Sequence, residues 1–114
     1  MPNAARSIPP CQAFPFEGRV RDGKEAAFED FVQQQLLPLW RRFPGSTGVR
    51  VLRHVAADPA AAPIHMMLEF DYPSTAAIDR TMASPERTEA KAKTQELLSM
   101  FDGRLYHVVF ERKD

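Results

Sequence analysis

Cys11 is the only cysteine among the 114 residues. One thiol cannot close an internal disulfide or build a thiolate zinc cluster, and a free thiol fits a reducing compartment. An excess of charge is also lacking. Fifteen Lys plus Arg balance fifteen Asp plus Glu, and the basic residues are scattered, with Arg41-Arg42 and Arg112-Lys113 the densest groups. That removes the electrostatic footprint of a nucleic-acid binder. No apolar run approaches the roughly 20 residues of a membrane span, and "MPNAARSIPPC" carries no apolar stretch of signal-peptide length. Gly-rich phosphate loops, nucleophile elbows and paired-cysteine motifs are missing too. The expectation is a soluble cytoplasmic protein with neither nucleic acid nor membrane as partner.

The chain that remains is long enough for one domain with a modest core. Residues 1–11, with three prolines, read as a flexible arm, and residues 12–114 as the domain. "QAFPFEGRV" (12–20) alternates, with Phe14, Phe16, Gly18 and Val20 on one side; Pro15 argues for a sheet edge or a late start to pairing. In "RDGKEAAFEDFVQQQLLPLWRRF", Asp22 and Glu25 have capping-box spacing. Phe28, Phe31, Val32, Leu36, Leu39, Trp40 and Phe43 form one apolar helical stripe, and Pro38 is expected to kink or interrupt its last turns. "PGSTG" ends the helix.

"VRVLRHV" (49–55) and "IHMMLEF" (64–70) have strand patterning. A hairpin that sets Val49 opposite Phe70, Val51 opposite Leu68 and Val55 opposite Ile64 leaves one face apolar except for Arg53. The other face then sets Arg50 against Glu69, Leu52 against Met67 and His54 against His65. "PSTAAIDRTM" predicts a short helix capped by Ser74. "SPER" starts another, with Ser84 as cap and Pro85 in the first turn. Ala90, Thr94, Leu97, Leu98 and Phe101 supply its buried stripe, Gly103 stops it, and "RLYHVVFE" is the last strand.

The order is β-α-β-β-α-β, an α+β chain of the ferredoxin-like kind. Both helices then lie on one face of a four-stranded antiparallel sheet. The opposite face carries Leu52 and Met67, too apolar to stay wet, so pairing with a second copy in a homodimer is expected.

The stretches "FPGSTGVRVLR", "MMLEFDYPSTAAIDRTMASPERTEA" and "FDGRLYHVVFE" give the chain, over residues 12–112, a resemblance to the dimeric α/β-barrel superfamily. That group includes EthD-like proteins, antibiotic-biosynthesis-type monooxygenases, stress-responsive barrel proteins and muconolactone isomerases. The "S..A" and "ASPE" pattern after the third strand looks most like the EthD-like members. The resemblance implies a pocket between helices and sheet for a small aromatic or hydrophobic metabolite, with oxidation or isomerisation run without a cofactor. A histidine that several such monooxygenases have on the helix after strand three would fall near Thr81, and this chain lacks it. A non-catalytic stress-response barrel is the alternative.

Candidate pocket residues are Trp40, Met66, Leu68, Thr81, Tyr106 and Phe110, with Phe14 and Phe16 at the floor. Trp40 in particular can stack on a ligand or simply pack the core. Candidate catalytic residues are His65, Glu69, His54 and His107. Histidine as a residue type can serve as acid or base. His54 and His65 can equally be hydrogen-bonded interface residues; two imidazoles fall short of a three-ligand zinc site unless Glu69 or a partner's residue joins them. Glu69 is either a buried general base or the salt-bridge partner of Arg50.

Overall fold

In the computed structural model, which describes residues 9–113, β1 spans Pro10–Val20 and α1 Glu25–Phe31. A π-helical turn (Val32–Leu36) leads into α2 (Leu37–Trp40), then β2 (Gly48–Arg53) and β3 (Ile64–Asp71). Two helices, α3 (Thr75–Met82) and α4 (Pro85–Leu98), precede β4 (Phe101–Leu105) and β5 (Val108–Glu111). The sheet is antiparallel in the order β2-β3-β1-β4, with β5 also paired to β1. This is the α+β ferredoxin-like fold. The arm expected over residues 1–11 lies outside the described residues up to residue 8. Pro10 and Cys11 belong to β1.

The β2–β3 hairpin has the register that charge and pattern require. Val49 faces Phe70, Arg50 faces Glu69, Val51 faces Leu68 and Leu52 faces Met67. Met66, Leu68 and Phe70 are buried against the helices with Phe16, Phe28, Leu36, Trp40 and Leu97. Ser74 and Ser84 cap their helices by accepting from Ala77 N–H and Arg87 N–H. Asp22, in contrast, does not cap α1. The helix begins after a turn closed by Lys24 N–H on the Arg21 carbonyl, and the Asp22 carboxylate pairs with Arg19 instead. Pro38 has its effect one turn early. It lacks the N–H that Gln34 would need as partner, and the chain takes up the mismatch as a π turn in which Leu37 N–H reaches the Val32 carbonyl.

Pro15 does not mark an edge: β1 is central, with β3 on one side and β4 plus β5 on the other. Phe16 pairs with Leu105 in β4 and Ala13 with Val108 in β5. These belong to one register, which, carried through the gap, sets Pro15 opposite Tyr106 and Phe14 opposite His107. The Pro10 carbonyl accepts from Tyr72 N–H on the β3 side. Backbone groups alternate along a strand, so the Pro15 nitrogen faces the other side, toward Tyr106. With no N–H to give, it leaves the ladder open there. The single last strand read from "RLYHVVFE" is therefore two, and among the described residues the sheet counts five strands rather than four.

Gly103 lies inside β4 rather than at a helix end. It pairs with Gly18, and both have positive φ, 139° for Gly18 and 155° for Gly103. A Cβ on Gly18 would stand 2.1 Å from the Asp102 carbonyl oxygen, and one on Gly103 2.0 Å from that of Glu17. Only glycine allows the two backbones this close.

Candidate functional site

Alternation along β1 sends Gln12, Phe14 and Phe16 to the helix side, and the helical period of α4 sends Arg87, Ala90, Lys91, Thr94, Gln95 and Leu98 down to meet them. Between the two lies a cavity of about 310 Å3, large enough for a small molecule. Trp40, Phe43, Leu68, Phe70, Thr81 and Met82 complete its inner wall, and Leu105, Tyr106 and His107 border it at the seam between β4 and β5. The wall is held by ring contacts. Phe43 stacks on Phe70 at 5.1 Å and Phe14 meets Phe70 edge-on at 5.9 Å.

Polar groups inside are few. Gln12 is only 2% exposed, and its Oε1 accepts from the Tyr72 hydroxyl at 3.3 Å. Its amide nitrogen has no hydrogen-bond partner among the described residues, yet no buried side-chain nitrogen is orphaned; the group therefore opens to the cavity that Gln12 lines. The Thr81 hydroxyl donates to the Pro44 carbonyl, tying α3 to the turn after α2. Its proton is thus committed, whereas the sequence left it free for a ligand. Burial raises the Tyr72 phenol above its usual pKa. Ser84, also buried, donates to the Thr81 carbonyl at 2.7 Å.

Trp40, Leu68, Thr81, Phe14, Phe16 and Tyr106 all line this cavity. The Tyr106 hydroxyl donates to Glu17 at 3.0 Å and the Arg104 guanidinium stands 4.7 Å over its ring. The hydrogen bond to Glu17 holds the phenol above its ordinary pKa. His107 is the one candidate histidine that reaches the cavity; its ring lies 5.4 Å from that of Phe14. Phe110 does not line it. Paired with Cys11, it lies on the face of the sheet away from the helices, 56% exposed.

His65 and Met66 lie elsewhere as well. Phe16 pairs with Met66 but Glu17 with Ile64, so His65 is the extra residue of a β-bulge. The bulge turns the imidazole onto the helix side, 5.4 Å from Phe28 and 6.1 Å from Phe101. It is therefore not on the open face, where strict alternation put it. It lines a separate hollow of about 270 Å3 with Glu29, Gln33, Val51, Arg53 and Met66. The β2–β3 ladder ends beside the bulge, at Arg53–Met66. His54 N–H donates to the His65 carbonyl at 3.3 Å, but the expected Val55–Ile64 pair does not form, and Val55 is exposed.

Glu69 faces away from the cavity and accepts from Arg50 Nε at 3.1 Å. Arg50 also grips Asp71 through both terminal nitrogens, at 2.6 and 3.0 Å. Hydrogen bonds from Arg50 hold the Asp71 carboxyl below its usual range and raise the guanidinium in turn. Cys11 sits beside this cluster; burial and the Glu69 and Asp71 carboxylates push its thiol up, away from thiolate chemistry at neutral pH. Among the described residues no three His, Cys, Asp or Glu side chains stand close enough to hold a metal ion, and no helix is long and apolar enough to cross a membrane.

Gln12, Arg87 and Lys91 escaped the sequence reading. The signals were an inward position in phase with Phe14 and Phe16 for Gln12, and the phase of Ala90, Thr94 and Leu98 for the two cations.

No family model matches the chain, and no curated protein matches it significantly in sequence. Solved structures do match. An ethyl tert-butyl ether D (EthD) family protein from Bacillus halodurans is similar with a TM-score of 0.71 and 19% identity, over 92% of this chain and 99% of that one. SnoaB, a cofactor-independent oxygenase from Streptomyces nogalater solved as a point mutant, gives 0.65 and 16%, over 95% and 96%. A dimeric ferredoxin-like protein of unknown function from Thermobifida fusca gives 0.66 and 11%, over 94% and 93%. The chain thus has the ferredoxin-like fold shared by EthD-like and antibiotic-biosynthesis-monooxygenase-like proteins. At these identities the likeness defines the fold.

Proposed function

We propose that the protein is a homodimeric barrel that binds a small aromatic or hydrophobic molecule between sheet and helices and acts on it, without a cofactor, as an oxygenase or isomerase. One observation carries the binding reading: an aromatic-walled cavity onto which the Gln12 amide nitrogen opens with no hydrogen-bond partner among the described residues. Apolar walls with few convergent polar groups are what a small-molecule site requires. His107, at the mouth, is the imidazole in reach of a bound molecule. Accepting a proton from an acidic C–H or O–H is a step that an isomerase and a cofactor-independent oxygenase share. The SnoaB likeness supports the oxygenase arm.

The dimer reading rests on the open sheet face, where Leu52, Val108 and Phe110 are exposed around Met67, Ala13 and Pro15. A second copy laid on that face would cover them. The dimeric Thermobifida protein of the same fold supports this.

The test is calorimetric titration with hydroxylated naphthalenes and anthrones, followed by oxygen-uptake and product assays on the compounds that bind. Binding with turnover that His107→Ala abolishes, at unchanged affinity, supports the enzyme. A non-catalytic binding barrel is the second reading, favoured because no carboxylate among the described residues lines the cavity. Binding without oxygen uptake or isomerised product establishes it, and no binding at all overturns both.

A further inference from the structure

We infer that the molecule this cavity takes is a carboxylate: a flat apolar body inside, a hydrogen-bond acceptor toward Gln12, and the acid group at the mouth between Arg87 and Lys91. The inference rests on the small-molecule reading of the same cavity and adds the ligand's charge and polarity.

Three observations support it. Arg87 and Lys91 are one helical turn apart on α4, so their side chains share a face, and both line the cavity. Among the described residues no Asp or Glu lines it with them. Arg19, Arg21, Arg50, Arg53, Lys93 and Arg104 all pair with carboxylates, whereas neither Arg87 nor Lys91 does among the described residues. The Lys93 ammonium, on another face of the same helix, is shared between Glu89 and Gln35. Lys24, Arg41, Arg42, Arg80 and Lys113 likewise have no carboxylate partner among the described residues, but none of them lines the cavity. Arg87 and Lys91 are the two such cations at its mouth, where low-dielectric walls focus their field outward along the entry path. A guanidinium offers a carboxylate two parallel hydrogen bonds, and the neighbouring ammonium adds a point charge. The Gln12 amide nitrogen, open to the cavity, is a donor that a hydroxyl, carbonyl or ether oxygen would satisfy.

The test uses 6-hydroxy-2-naphthoate and its uncharged isostere 6-hydroxy-2-naphthamide, titrated calorimetrically into the full-length protein. The acid is expected to bind about tenfold more tightly than the amide at low salt. That preference should shrink as NaCl rises and fall to near parity in the Arg87→Gln/Lys91→Gln variant. The salt series needs no variant, so a folding defect in the double substitution leaves the test intact. Equal affinity of acid and amide in the unaltered protein overturns the carboxylate inference while leaving the small-molecule reading in place. Failure of both probes to bind overturns the two together.

Discussion

Pro15 stands opposite Tyr106 at the seam between β4 and β5, and its missing N–H keeps that seam open. The ladder resumes in the same register on both sides, so the gap belongs to one residue rather than to a strand ending. It falls where Tyr106 and His107 border the cavity.

Pro15→Ala restores the donor and is expected to join β4 to β5. The new hydrogen bond, about 1 kcal/mol, is roughly offset by the freedom that alanine returns to the unfolded chain. Stability should therefore change little, while the residue 15 amide becomes strongly protected from hydrogen exchange. An amide exchanging at the rate of an open loop would show that something other than proline holds the seam apart.

Gly18→Ala and Gly103→Ala should each destabilise the fold by at least about 2 kcal/mol, since a side chain at these φ angles is strained and its Cβ meets a carbonyl oxygen. Urea unfolding reads this. A loss below about 0.5 kcal/mol would mean that the strands separate at little cost.

Asp71 makes part of the stability pH-dependent. Its folded pKa lies below the unfolded one, because Arg50 donates to the carboxylate. The contribution is therefore present above the unfolded value, near 3.9, and is lost as pH falls through the folded value. Arg50→Gln should cost about 1 kcal/mol at pH 7 for this partly exposed network. The difference from the unaltered protein should narrow as acid protonates Asp71. Parallel unfolding curves at pH 7 and below pH 3 test this, and a gap that persists unchanged in acid contradicts it.

Thr81→Val removes the hydrogen bond to the Pro44 carbonyl at nearly constant volume. It should cost about 1–2 kcal/mol and loosen the turn that carries Phe43 and Gly45 beside the cavity. Increased hydrogen exchange at Ser46 and Thr47 would report it; an unchanged turn would assign its rigidity to packing alone.

The features legible in the sequence were those set by near neighbours. The β2–β3 register followed from Arg50 facing Glu69 and Val51 facing Leu68, and the Ser74 and Ser84 caps from residues within one turn. What escaped depends on distant partners. Pro15 looked like an edge marker because nothing local tells a central strand with a gap from an edge. His65 looked polar-face because alternation fails only where the β1 pairing inserts a bulge. Asp22 had cap spacing, but Arg19 took its carboxylate. The cavity was half visible for the same reason. Its aromatic wall lay in the apolar pattern, whereas Gln12, Arg87 and Lys91 become cavity groups only once β1 and α4 face each other.

A crystal structure of the complex with 6-hydroxy-2-naphthoate tests the central claim most directly. The ring system should lie against Trp40, Phe14 and Leu98, with an oxygen within hydrogen-bond distance of the Gln12 amide nitrogen and the carboxylate between Arg87 and Lys91. A ligand found on the open sheet face, or in the hollow beside His65 with the main cavity unoccupied, would contradict it.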